Sequence, residues 1–196
     1  PSILLTTISA VLQKLPPASY FADSSMVMTP GSAQSPKSLA EFLANHAYLR
    51  TDTVRETGEF AIRGGIVDVF PPGHANPVRL DFFGDDIETM RTFDAASQRS
   101  TGKLDRLILR PVAEFMLTEA AITRFRTGYL QAFGAAASRD PLYESVSAGR
   151  MHPGIEHWLP LFHDHLETVA DYCPGWSLFL DHEGDAASAA RQAQIK

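Results

Sequence analysis

Between Val54 and Asp86 the chain runs through apolar–polar alternation broken by glycine and proline, and that pattern leaves it few ways to fold. Val54, then Phe60 and Ile62, then Val67 and Val69, then Leu80 and Phe82 each alternate with polar neighbours. This period of two is what strands with one buried face require. Gly64-Gly65 reads as a bulge within a strand. Pro71-Pro72-Gly73-His74-Ala75-Asn76-Pro77 is a wide hairpin loop, and Gly84-Asp85-Asp86 a tight one. Strands joined by such short connections are antiparallel, because a parallel pair needs a long crossover. A sheet with one apolar face needs a cover. Ser35-Pro36 starts a helix over residues 36–45 with Leu39, Phe42 and Leu43 on one side, which supplies it.

The flanking segments differ in texture. Residues 3–15 begin as a short buried strand and become a helix through Ile8, Val11, Leu12 and Leu15, stopped by Pro16-Pro17. A loop over residues 24–38 contains one short strand at residues 26–29. After Pro111 helices dominate: one from Thr118 or Glu119 to Gly134, one opened by Asp140-Pro141 and ended by Gly149. A short apolar stretch at residues 158–166, a buried strand at 176–180 and a helix at 183–195 complete the reading. The expected class is mixed α/β (α+β), with a small, mainly antiparallel sheet domain carrying a covering helix.

Charge and cysteine content narrow the function. Of 196 residues one is a cysteine, Cys173, so no internal disulfide forms; a cytoplasmic setting is expected. Cys173 itself reads as a small buried apolar residue. No apolar run reaches the roughly 20 residues that span a bilayer, so no membrane is expected as a partner. Pro1-Ser2-Ile3-Leu4-Leu5 has no initiator methionine and no signal-peptide pattern, the look of a piece of something longer. Net charge is −6, and residues 48–110 carry nine basic residues interleaved with ten acidic ones. Such a mixture argues against a strong phosphate-backbone footprint.

Catalytic constellations are not legible. Gly102-Lys103 has Ser97 and Leu104 where a phosphate-binding loop needs glycine and a hydroxyl residue. His152, His157, His163, His165 and His182 lie in the last third, but their spacing fits neither a helical zinc pair nor a finger. Gly-x-Ser-x-Gly is missing, and Asp85-Asp86 falls in a turn, where carboxylates favour chain reversal. Neither catalytic residues, a metal nor a cofactor are expected in this chain.

The strand face is different. In Val78-Arg79-Leu80-Asp81-Phe82-Phe83, the period of two sends Leu80 and Phe82 one way and Arg79, Asp81 and Phe83 the other. Arg63, opposite in phase to Phe60 and Ile62, shares the outer side. Arginine and aromatic residues together are what interface hot spots favour. Two readings stay open from these residues: a docking surface, or a face covered by the chain's own helix or loop.

The words GEFAIRGGIVDVFPPG and PVRLDFFGDDIETMRTFDAASQRS resemble the UvrB-like N-terminal region of the bacterial transcription-repair coupling factor (Mfd) family. The likeness runs from Leu4-Leu5-Thr6-Thr7 to Leu180. The form Glu156-His157-Trp158-Leu159-Pro160-Leu161-Phe162, with Asp171-Tyr172, favours that family over UvrB itself. The resemblance implies three parts: residues 1–24 and 113–196 as pieces of a degenerate helicase-like domain, and 25–112 as a UvrA-binding module inserted between them. It also implies that Arg63, Arg79 and Phe83 are the protein-binding residues for UvrA. Leu180-Asp181-His182-Glu183-Gly184 lacks the adjacent Asp-Glu of the UvrB ATPase motif, so a non-catalytic recruitment module is expected. ATP and Mg, RNA polymerase and DNA would then belong to other domains of the parent, an ATP-dependent DNA translocase. The parent's C-terminal domain would mask the UvrA surface. The rival readings are a DNA-binding module and an enzyme, the latter testable by nucleotide turnover of this chain.

Overall fold

The computed structural model describes residues 3–195; the first two and the last residue of the expected parts lie outside that range. In chain order its elements are α1 (Ile8–Val11), α2 (Ala18–Asp23), β1 (Met26–Met28), α3 (Pro36–Asn45) and β2 (Leu49–Arg50). Then come β3 (Glu59–Arg63), β4 (Ile66–Val69), β5 (Val78–Phe83), β6 (Asp86–Phe93), β7 (Ser100–Lys103) and β8 (Leu107–Leu109). The remaining helices are α4 (Glu119–Phe133), α5 (Pro141–Ser147), α6 (Val169–Tyr172) and α7 (Gly184–Ile195), with 3-10 turns at Ala135–Arg139 and Ile155–Leu161. The chain forms two compact units, Ser19–Met116 and the pair Pro1–Ala18 with Leu117–Lys196.

The Ser19–Met116 unit is a six-stranded sheet in the order β2-β3-β4-β5-β6-β7. Neighbours from β3 to β7 are antiparallel. β2 departs from the expected pattern by running parallel to β3. Such a pairing is set by contacts distant in sequence and has no local turn signal. A separate antiparallel pair joins β1 to β8, with Met26 opposite Leu109. The Ser35 hydroxyl accepts from the Ser38 amide at 3.1 Å, and Pro36 fills the first turn, so α3 starts where its cap requires. Its Leu39 and Leu43 share a fully buried core with Phe60, Val67, Val69, Val78, Leu80 and Met90. At about 25 cal/mol per Å² of apolar surface, burial of this one sheet face is the main source of the unit's stability.

The expected bulge at Gly64-Gly65 is instead a two-residue hairpin turn, because Arg63 and Ile66 face each other across it. Gly64 has φ +59°, the left-handed value wanted at the first central position of such a turn. Gly65 brings the turn against β5. Its carbonyl accepts from the Phe82 amide at 2.8 Å, and a β-carbon there would stand 3.0 Å from the Phe82 carbonyl oxygen. Register shifts lie elsewhere, between Asp81 and Phe82 on β5 and between Thr92 and Phe93 on β6.

In the other unit the Thr118 hydroxyl caps α4, accepting from Ala121 N at 3.2 Å, and Gly134 ends it with φ +77°. Asp140 caps α5 through Leu142 N at 2.8 Å. Phe125 packs on Phe162 with centroids 5.2 Å apart, and Tyr129 on Tyr143 at 5.8 Å. Leu15 and Glu167 form one isolated antiparallel bridge. Neither short apolar run becomes a buried strand. Residues 3–7 and 176–180 lie outside regular structure, and Ile3, Leu5, Leu178 and Phe179 are exposed. A short apolar run is a strand only where a ladder partner meets its backbone, and composition does not specify that partner. Cys173 is half-buried rather than buried. Among the described residues no helix is long and apolar enough to cross a membrane.

Candidate functional site

The strand registers write out the sheet face opposite α3. One row across β3–β7 reads Ala61, Asp68, Arg79, Arg91, Lys103. The next reads Arg63, Ile66, Asp81, Thr89. Phe83 ends β5, opposite Asp86. The two rows hold four cations against two carboxylates, and Glu59, in phase with Ala61 and Arg63, and Asp86, opposite Phe83, add two more carboxylates to the same face. Its apolar support is small: Val54, Ala61 and Phe93, with Phe70 against them.

Asp68 organises one half of the face. Its side chain is completely buried and accepts three hydrogen bonds from two arginines. Arg79 approaches with a fork, Nε to Oδ1 at 2.7 Å and Nη2 to Oδ2 at 2.8 Å. Arg63 Nη2 reaches the same Oδ2 at 2.5 Å. One oxygen therefore bridges two guanidiniums, and two positive charges share one negative one. Charge-assisted forks of this kind are short and directional. The hydrogen bond to Asp68 pushes the Arg79 pKa above the usual arginine value, outweighing the burial that opposes it. Arg79 also lies over the Phe93 ring, 4.7 Å from its centroid, a cation–π contact.

Asp81 organises the other half. It accepts from Thr89 Oγ1 at 2.7 Å and from Arg91 Nη2 at 2.6 Å. Arg91 Nε is buried with no hydrogen-bond partner.

The three residues singled out in the sequence fare differently. Phe83 is 80% exposed, a clear departure from the burial expected of a phenylalanine. Arg63 is half exposed, at 49% of its side chain. Arg79 departs from expectation: it is on the outer face, yet only 18% of its side chain is exposed, because Asp68 and Phe93 hold it. Strand phase assigns a face but does not say what lies across it. Strand phase with residue type does not single out Asp68, Phe93 or Arg91. The signal for Asp68 was present, since it stands between Val67 and Val69 and so in phase with Arg63 and Arg79. Among the described residues, no group of three or more His, Cys, Asp or Glu is placed to hold a metal ion.

Residues 26–115, which contain this whole face, match the family described as the UvrB interaction domain. Along nearly its full length the chain is also similar to transcription-repair-coupling factors. The protein of Haemophilus influenzae is 36% identical over 191 residues, 96% of this chain and 17% of its own. That of Escherichia coli is 34% identical over 98% of this chain and 17% of its own. That of Rickettsia bellii is 35% identical over 92% and 16%. The chain belongs to the transcription-repair-coupling factor family. It spans about one sixth of the length of these relatives, at 16–17%. The family domain at residues 26–115 lies wholly inside the Ser19–Met116 unit, so the exposed Phe83 and the Asp68-held arginines belong to that domain.

Proposed function

We propose that this chain is a non-catalytic recruitment module that docks the repair protein UvrA through Arg63, Arg79 and Phe83. The observation that carries the reading is Phe83: an 80% exposed phenylalanine at the end of the strand that also carries Arg79, which shares the Asp68 carboxylate of β4 with Arg63 of β3. Solvent exposure of that ring has no folding benefit, while an aromatic anchor beside guanidiniums suits an interface with an apolar notch and an acidic group. Membership of the UvrB interaction domain family supports a repair-related partner.

In the longer protein this contact recruits UvrA to lesions at which RNA polymerase has stalled, in the cytoplasm. ATP hydrolysis with Mg, DNA translocation and polymerase contact belong to other domains. The parent's C-terminal domain masks the surface until it is needed. Residues 25–112 act as the docking module, and 1–24 with 113–196 as remnants of a degenerate helicase-like domain.

The test is calorimetric titration of the 196-residue chain into purified UvrA, beside Phe83→Ala and Arg63→Ala with folding checked by circular dichroism. Saturable binding that both folded variants weaken is the expected result. No binding by the parent chain would end the proposal, and binding unchanged in both variants would move the site elsewhere. Masking predicts that this chain binds UvrA more tightly than the full-length protein does.

A further inference from the structure

A completely buried carboxylate that serves two arginines, one half-exposed and one largely covered, is unusual enough to need a reason. Asp68 sits in the middle of β4, flanked by β3 and β5, with Ala61 on one side and Arg79 on the other in the register. Its two oxygens take the Arg79 fork and the Arg63 amino group. A carboxylate in this position contributes little net stability, because its desolvation offsets much of the attraction. Its geometric effect is larger. It fixes two long, rotamer-rich side chains, each of which would otherwise lose freedom on binding a partner. It also leaves specific donors unspent. Arg79 gives one N–H of Nε and one of Nη2 to Asp68, so Nη1 and the second N–H of Nη2 remain. Arg63 gives one N–H of Nη2, so Nε, Nη1 and the second N–H of Nη2 remain. The Phe93 ring under Arg79 blocks its retreat from the other side.

We propose that Asp68 is the positioning residue of the docking surface: it presents Arg63 and Arg79 as one rigid, singly positive cluster shaped for a single carboxylate of the partner. This rests on the UvrA reading above. The occupant is an acidic side chain, since a cluster of net charge +1 with N–H donors unspent on both guanidiniums matches one carboxylate. A phosphate backbone would need a string of unpaired cations, and here each arginine shares a counter-charge.

The test is a double-mutant cycle on the 196-residue chain with purified UvrA: wild type, Asp68→Asn, Arg63→Ala and the double variant. Asp68→Asn keeps the volume and removes the charge, so the guanidiniums repel each other and lose their common anchor. Affinity should fall about tenfold, mostly through faster dissociation, as for other buried interfacial charge partners. In the Arg63→Ala background the same substitution should cost less than about threefold, since coupled residues do not add. Equal losses in both backgrounds, or unchanged affinity in folded Asp68→Asn, would overturn the role. An independent arm uses only the wild-type chain. The Nε–H resonance of Arg79 should exchange slowly and be shifted by the Phe93 ring, and a fast-exchanging Arg79 would overturn the anchoring even if Asp68→Asn does not fold. Failure of the wild-type chain to bind UvrA would instead defeat the docking reading, an outcome separate from either of these.

Discussion

Truncating Phe83 separates recognition from folding more cleanly than any other change on this surface. The ring is 80% exposed in the free chain, so Phe83→Ala removes almost no buried area and should shift folding stability by no more than about 0.5 kcal/mol. Binding is another matter. A fully buried phenylalanine contributes roughly 1.5–3 kcal/mol over an exposed one, and four-fifths of this side chain has yet to be buried. The loss on truncation should therefore be about 2 kcal/mol, or a factor of about 30 in affinity. Phe93, which is fully buried under Arg79, gives the contrast: Phe93→Ala should cost about 3–5 kcal/mol of stability. Calorimetry against UvrA and urea unfolding of the same preparations measure both quantities. Unchanged affinity for folded Phe83→Ala would refute the anchor role. A stability loss approaching that of Phe93→Ala would show that the ring is packed in solution and that its exposure was misread.

Gly64→Val should destabilise the chain by about 1–2 kcal/mol, since a β-branched residue must adopt the φ of +59° at that turn; urea midpoints measure it. His74 has its pKa lowered from 6.5 by burial, with Arg110 nearby adding to the effect. The unfolded chain therefore takes up the proton first as pH falls. Stability from this group is complete above 6.5 and declines as pH drops toward the folded value. His74→Gln should accordingly lose less melting temperature than wild type between about pH 7.5 and 5.5. For duplex DNA, fluorescence anisotropy should find no binding tighter than about micromolar at physiological salt, because carboxylates share the cations of the sheet face. A tighter, salt-steep interaction would favour a DNA-binding module instead.

Much of the sheet unit was written in the local sequence. Pro71 to Pro77 and Gly84-Asp85 set loop lengths that only antiparallel neighbours accept, and Ser35-Pro36 set the start of the covering helix. The parts that were not legible depend on what meets a segment from far away. Gly64-Gly65 could bend a strand or end one. The odd spacing between Ile62 and Val67 keeps both on the core face in either case, since a bulge adds one residue and a two-residue turn reverses the chain; the pairing of Ile62 with Val67 is what makes it a turn. β2 pairs parallel to β3 through backbone contacts such as Leu49 N to Gly58 O at 2.8 Å, which no side-chain pattern announces. The apolar residues at 3–5 and 178–180 have the composition of core strands without the ladder. At the site, phase put Arg63, Arg79 and Phe83 on one face, but exposure depends on neighbours. Phe83 has none over it, whereas Arg79 has Phe93 beneath it and Asp68 beside it.

That difference decides which substitutions can probe the surface. Charge reversal of Arg79 is the direct way to disrupt an arginine-based contact. In this fold Arg79→Glu sets a second carboxylate against completely buried Asp68 and removes two of the three hydrogen bonds that satisfy it. Breaking a buried pair from one side typically costs about 3–5 kcal/mol, because the remaining charge stays buried without its partner. Arg63 still reaches Oδ2, which places the expected loss toward the lower end. Urea unfolding should thus show Arg79→Glu destabilised by about 3 kcal/mol, a large part of a small domain's stability. Arg63→Ala, on the half-exposed side of the same oxygen, should cost less than about half as much. If Arg79→Glu unfolds like wild type, Asp68 is not held as described. If it is destabilised as expected, its loss of partner binding reports folding as well as recognition, and Arg63 and Phe83 are the residues through which docking can be measured.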